Sequence, residues 1–140
     1  MADGKPAPSR PLPKLDEQDT SAFWQATAEG QLTYQQCRNC ETIQWYPRLH
    51  CTGCVNADLA THTASGLGRI YTFSIVRLNY HPFFRTIAPY AVAWIDLDEG
   101  PRILSQITSV EDPGTLKIGD RVKVQFEAHE GLAVPLFEPA

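Results

Sequence analysis

No stretch of this 140-residue chain approaches the roughly 18 consecutive apolar residues that a membrane-spanning helix requires, so no span and no membrane partner are expected. The opening residues, MADGKPAPSRPLPKL, have no apolar centre and do not read as a secretory signal, which makes a cytoplasmic protein the expectation. Basic charge is scarce. Lys and Arg number 12 against 16 Asp and Glu, a formal net charge of −4, and no basic run occurs. Nucleic-acid binders draw much of their affinity from phosphate neutralisation, so a nucleic-acid partner is disfavoured.

Catalytic signatures are equally thin. Gly66-Leu67-Gly68 is too short for a dinucleotide or P-loop cradle. The four histidines, His50, His62, His81 and His129, are dispersed, and none stands beside a serine in a nucleophile elbow. Asp96, Asp98 and Glu99 suggest paired carboxylates, but turn chemistry makes a solvated corner the better reading. No catalytic residue is assigned.

Cysteine is absent everywhere except in CRNCETIQWYPRLHCTGC, which runs from Cys37 to Cys54. A reducing compartment disfavours disulfides. A thioredoxin-type site would leave the second pair unexplained. Two CxxC turns joined by a short connector can aim four thiolates at one tetrahedral metal, with Cys37, Cys40, Cys51 and Cys54 as ligands and zinc as the favoured ion. Disulfides or a rubredoxin-type iron site are the alternatives. Four thiolates fill the coordination sphere, so the metal is structural; His50, next to Cys51, is not needed. A module of about thirty residues buries too little surface to fold alone, and structural zinc, contributing roughly 10–16 kcal/mol in finger peptides, offsets that deficit. Such turns often carry glycine just after the second cysteine, where φ is positive. Glu41 and Val55 stand there instead, so less regular turns are expected.

Composition, 43% hydrophobic and 20% charged, is that of a globular protein, and the length suits one ordinary domain or a domain with a small appendage. Residues 1–18 read as a flexible arm, with Pro6, Pro8, Pro11 and Pro13. A short helix follows over 19–30, with Asp19 or Thr20 as N-cap and Gly30 as the stop. Residues 31–65 read as a zinc ribbon of two strands, QLTYQQ and TIQWYP, closed by Pro47 and the second cysteine pair. From 66 to 140 the pattern is strands: GLGRIYTFSIVRLNY, PYAVAWIDLDEG, PRILSQITS, DRVKVQFEAHEG and LAVPLFEP. Pro135 suggests an edge or irregular position for the last strand. The connector VEDPGTLKIGD has room for one helical turn. A long first strand and four more fit a small closed barrel of the OB kind, with Gly66 and Gly68 allowing the bend at its entrance. The fold class is therefore mainly β.

The blocks FWQATAEGQL, CRNC, WYPR before CTGC, GLGRIYTFSIV, PYAVAWIDLDEGPRILSQI, LKIGDRVKVQF and PLFEPA, in that order, cover nearly all of the chain after the arm. In these blocks the chain resembles the zinc-ribbon/OB-fold acyl-CoA-associated family, the thirty-fifth domain of unknown function. The resemblance implies a helical N-terminal arm, a rubredoxin-like zinc ribbon and a five-stranded C-terminal OB barrel. It further implies a non-catalytic accessory subunit that braces a thiolase-fold enzyme (a thiolase, an acyltransferase or a lipid-transfer-protein-like aldolase of steroid side chains) and helps form its acyl-CoA site. A MaoC-like enoyl-CoA hydratase is the alternative partner. A single-stranded nucleic-acid-binding OB protein is a weaker alternative, because residues 66–140 carry seven Lys/Arg and nine Asp/Glu, a net of 7 − 9 = −2.

Residue types point to the contact surface. In RLNYHPFFRTIAPY, a loop between the first two barrel strands, Arg77, Tyr80, His81, Phe83, Phe84 and Arg85 crowd together. Aromatics and arginine are enriched at interface hot spots, and arginine also suits a CoA phosphate. Phe23 and Trp24 on the short helix are the other candidates for partner or acyl-CoA contact. Plugging of the barrel end by Phe83 or Phe84 is the competing explanation. The expectation is that at least one of these two rings is exposed in the isolated subunit.

Overall fold

The computed structural model describes Gly4 and residues 6–140; the first part of the expected arm, residues 1–3 and 5, lies outside the described residues. Helix α1 spans Ser21–Ala28. Thr20 occupies the N-cap position, but its side chain makes no capping bond, and its Oγ1 is buried without a partner among the described residues. Gly30 ends the helix with φ +76°, and the Gly30 and Gln31 amides donate back to the Thr27 and Ala26 carbonyls at 2.9 Å each. Phe23 and Thr27, one turn apart, turn inward. The Thr27 hydroxyl donates to the Trp24 carbonyl at 2.7 Å and accepts from the Ala133 amide at 3.2 Å, which ties α1 to the last strand of the barrel.

The ribbon is a three-stranded antiparallel sheet, where two strands were expected. Strand β1 (Thr33–Cys37) lies between β2 (Ile43–Gln44) and β3 (Leu59–Thr63). The third strand, LATHT, is short and mostly polar, so no apolar alternation marks it. It forms because β1 offers a second free edge: Thr33 pairs with Thr63, and Cys37 with Leu59.

The barrel consists of β4 (Leu67–Val76), β5 (Tyr90–Leu97), β6 (Arg102–Ile107), β7 (Arg121–His129) and β8 (Leu132–Pro139), closed in the order β4-β5-β6-β8-β7. The long β4 serves two neighbours. Residues 67–69 pair with β7 and residues 68–76 with β5, and a register shift at Tyr71 supplies the bend. Gly68 allows the crossing, since a Cβ there would lie 2.6 Å from the Asp96 carbonyl oxygen. Ile70, Ala91, Ala93, Ile95, Leu97, Ile103, Val122 and Phe137 fill the interior. Small alanines on β5 face larger side chains across the barrel.

Strand β8 is not an edge. It pairs with β7 along its whole length, whereas its parallel contact with β6 is confined to Ile107 and Phe137. Pro135 sits on that sparsely paired seam. Its carbonyl accepts from the Ser105 hydroxyl at 2.7 Å, so its nitrogen faces β6, where no ladder bond is needed. The segment read as a loop between β4 and β5 contains helix α2, Pro82–Ile87. Its signals are compact: His81 Nδ1 caps the Phe83 amide at 3.1 Å, and Pro82 takes the first helical position. The connector before β7 holds one 3₁₀ turn at Pro113–Thr115. No helix of the described residues is long and apolar enough to cross a membrane.

Candidate functional site

All four thiols converge at one end of the ribbon, every Sγ within 4.8 Å of the others. Cys37 and Cys54 approach to 3.6 Å, and Cys40 and Cys51 to 3.5 Å. A tetrahedron with metal–sulfur bonds of about 2.3 Å places its sulfurs about 3.8 Å apart, so the cluster has the size of a closed four-thiolate site. Donors surround the sulfurs in the pattern that thiolates need. The Asn39 and Cys40 amides point at Cys37 Sγ, and the Gly53 and Cys54 amides point at Cys51 Sγ, at 3.2–3.5 Å. The Thr42 hydroxyl beside Cys40 holds that thiol below its ordinary range, as the Cys54 amide does for Cys51 and the Asn39 side chain for Cys54. Cys37 moves upward: the Cys40 amide works to lower it, but burial and the neighbouring thiols outweigh that bond.

The two turns are regular, contrary to expectation. Glu41 and Val55 adopt φ of 65° and 66°, and their amides donate to the Cys37 and Cys51 carbonyls at 2.9 and 3.0 Å. The geometry glycine would supply is thus imposed on non-glycine residues by the chain closing around the cysteines. Gly53 serves a different end. A Cβ there would lie 2.8 Å from Thr42 Oγ1, so the glycine lets the second turn approach the hydroxyl that bonds Cys40. Left-handed backbone costs an L-residue roughly 1–2 kcal/mol, most acutely when β-branched. Val55 is 72% exposed and has little packing to lose. Val55→Gly is therefore expected to stabilise the metal-loaded protein by up to about 1 kcal/mol after the entropy glycine adds to the unfolded chain, read as a higher urea midpoint at unchanged m-value.

The second turn has no strand of its own and is held by amides. Gln44 Oε1 accepts from the Thr52 amide at 2.9 Å, and Gln35 Oε1 accepts from the Arg48 amide at 3.0 Å. This bracing also orients the connector, which carries Trp45 and Tyr46 to the barrel.

There they wall a groove whose floor is the outer face of β5 and β6. One stretch, of about 410 Å³, is lined by Trp24, Trp45, Phe84, Val92, Leu104 and Leu136, among others. The next, about 500 Å³, shares Trp45, Tyr46 and Leu104 and adds Trp94, Arg48 and Arg102. All three tryptophans of the chain border it. The strand register explains the floor: Trp94 lies opposite Leu104 and Val92 opposite Gln106, all facing outward while Ala93 and Ile95 face the core. In OB folds the second and third strands and the loops beside them form the usual ligand face, and β5 and β6 hold those positions. Among the described residues, three arginines line the groove and no carboxylate does. Two of them are engaged, Arg10 with Glu127 and Arg102 with Asp96, the latter also lying 3.4 Å over the Tyr71 ring. Among the described residues, the Arg48 guanidinium meets the Tyr46 ring, at 5.9 Å, and no carboxylate. The Trp45 indole Nε1 is buried without a partner among the described residues.

The residues singled out from sequence fall into three groups. Phe23, Trp24 and Phe84 meet at this groove, but Phe23 is 5% exposed and belongs to the chain's own core. Arg77, Tyr80, His81 and Arg85 are exposed around α2, with Tyr80 at 78%. Phe83 and Phe84 are half-buried, packed on one another with Phe84 also against Tyr90, so the expected free ring is not found. Trp45, Tyr46, Trp94, Leu104, Arg10, Arg48 and Arg102 were missed. The available signal was YAVAWIDL, a strand apolar on both faces, which implies that its outer face is also used. The suspected carboxylates are committed elsewhere: Asp96 to Arg102, Asp98 to Arg121, and Glu99 to the Ser65 amide. Arg121 holds the Asp98 carboxyl below its ordinary range.

Residues 24–60 match the ChsH2 rubredoxin-like zinc ribbon domain, and residues 61–127 the ChsH2 C-terminal OB-fold domain. A DUF35 domain-containing scaffold protein of Methanothermobacter thermautotrophicus is 36% identical over 96 residues, covering 68% of this chain and 71% of the relative. The chain belongs to the DUF35 family. Among solved structures, the Ltp2-ChsH2(DUF35) aldolase matches with a TM-score of 0.78 and 30% identity over 93% of this chain and 98% of that one. A probable enoyl-CoA hydratase alpha subunit of Thermomonospora curvata is 33% identical over 97% of this chain, which spans only 42% of that relative. The DUF35 chain thus has the two modules its family descriptions name, and the four-cysteine geometry fits the metal that the ribbon's description implies.

Proposed function

We propose that this DUF35 chain is a non-catalytic accessory subunit that docks on an enzyme of acyl-thioester metabolism and helps shape its substrate site. The observation that carries the reading is the aromatic groove on the β5–β6 face: a large, concave, apolar surface walled by three tryptophans. The likeness to an aldolase assembly and to a hydratase subunit supports a partner that handles acyl thioesters. A thiolase-fold enzyme, including an aldolase of steroid side-chain breakdown, is the favoured partner, and a MaoC-like hydratase the second. The metal in this reading is zinc, with the sole task of holding the ribbon so that Trp45 and Tyr46 stand over the barrel.

Arg48, which has no carboxylate partner among the described residues, is the charged group available to an occupant, and it favours a docked chain with acceptor or acidic groups at its rim. Single-stranded nucleic acid is poorly served, because two of the groove arginines, Arg10 and Arg102, are already paired with carboxylates. Co-expression with thiolase-fold and hydratase enzymes of the native host tests the proposal. The expected result is a stable hetero-oligomer with one of them, accompanied by a blue shift of tryptophan emission, in a colourless preparation holding one zinc per chain. Unaided turnover of an acyl thioester by this chain would contradict it.

A further inference from the structure

Between residue 6 and residue 17 the chain has neither helix nor strand, and nearly every side chain there is exposed. Pro13 is half-buried, and Arg10 is the one charged side chain drawn in, with 9% of its side chain exposed. Its Nε donates to Glu127 Oε1 at 2.7 Å, and its Nη2 donates to Glu127 Oε2 and to Gln106 Oε1 at 3.2 Å each. The guanidinium carbon lies 4.7 Å from the Phe83 ring centre and 5.6 Å from that of Phe84. On the far side, His129 Nε2 is 2.6 Å from Glu127 Oε1 and steadies the carboxylate. Burial works against ionisation of Glu127, but the bonds from Arg10 and His129 outweigh it and hold the carboxyl below its ordinary range.

A carboxylate fork, an amide oxygen and two aromatic faces are the features that select a planar guanidinium over an ammonium. They come from three elements, α2, β6 and β7, none of them adjacent to the arm in sequence. The arm itself, with four prolines, can make few ladder bonds; besides Arg10, Pro13 is half-buried and Leu15 lies against the turn at Gly131. Its attachment therefore rests mainly on one side chain seated in a preformed cleft.

We propose that the cleft between α2, β6 and β7 is a guanidinium-binding site, occupied in cis by Arg10, and that the arm is thereby a detachable strap. Seated, Arg10 covers Phe83 and Phe84 and closes one end of the aromatic groove. Released, it frees both rings and opens that end. The inference uses only groups of this chain and does not depend on the docking reading.

The test uses the full chain with Arg10→Ala, Arg10→Lys and Arg10→Ala/Glu127→Gln, and ethylguanidinium as the probe. Hydrogen exchange of the α2 amides should rise about tenfold or more in both single variants, with β5 amides unchanged and the arm more readily cleaved by protease. Millimolar ethylguanidinium should restore α2 protection to Arg10→Ala and not to the double variant, and ethylammonium should restore neither. Unaltered α2 exchange, or equal rescue by the two cations, would overturn the proposal. If β5 protection also falls in the variants, the wild type decides: excess ethylguanidinium must raise arm cleavage, and failure to do so sinks the inference.

Discussion

Serine at position 51 should leave the ribbon unfolded while the barrel stands. Cys51 is buried at the centre of the four-sulfur cluster, with two amides aimed at its Sγ. A hydroxyl in its place is a poor zinc ligand, and the remaining three thiolates cannot close the tetrahedron. Structural zinc contributes on the order of 10 kcal/mol to the folding of such modules, far more than this small sheet gains from burial. The ribbon also contains two strained residues, Glu41 and Val55, whose conformations persist only while the loops are held shut. The expected result for Cys51→Ser, and for wild type after exhaustive chelation, is loss of bound metal and loss of amide protection across residues 33–63. The barrel has its own closed hydrogen-bond circuit and core, so β5 and β6 should keep their protection. Full ribbon protection without metal would show that the cysteines hold no structural ion.

The second large effect concerns the groove. Trp94 and Leu104 lie opposite one another on its floor, point away from the barrel core, and are exposed in the free chain. Trp94→Ser with Leu104→Asp removes two central apolar anchors and introduces a charge that a docked partner would have to desolvate. Anchors of this kind contribute about 2 kcal/mol or more each, so the hetero-oligomer should weaken by at least about a hundredfold. The barrel interior is untouched, and the melting temperature of the isolated subunit should move by only a few degrees. Titration of the variant into the partner enzyme gives the affinity, and a thermal melt of the free chain gives the control. Wild-type affinity in the double variant would place the docking surface elsewhere, with the exposed Tyr80 and the turn around α2 next in line. Substituting Phe83 and Phe84 is the weaker experiment, because both rings are packed inside this chain beneath Arg10.

Much of this protein was legible along the chain because the physics involved is local. Two CxxC turns declare a four-thiolate site whatever surrounds them. Alternation such as Val122, Val124 and Phe126 declares a barrel strand, and Gly30, just past a helix-compatible stretch, declares a helix stop. The third ribbon strand was not legible, since Thr61 and Thr63 carry no apolar alternation and gain their place from the free edge of β1. Nor was the regular form of the cysteine turns, because ring closure overrode the backbone preferences of Glu41 and Val55.

The sequence by itself determined the modules: thiolates that need a common ion, and strands whose inward side chains need one another. Only the tertiary structure decided how the modules face each other, and so which side chains share one exposed face. Trp24, Trp45, Trp94 and Arg10 are scattered over 85 positions of the chain and share a groove only because α1, the ribbon and the arm all lean on the same face of the barrel. No local pattern encodes that convergence, which depends on the sum of many long-range contacts closing around a single core.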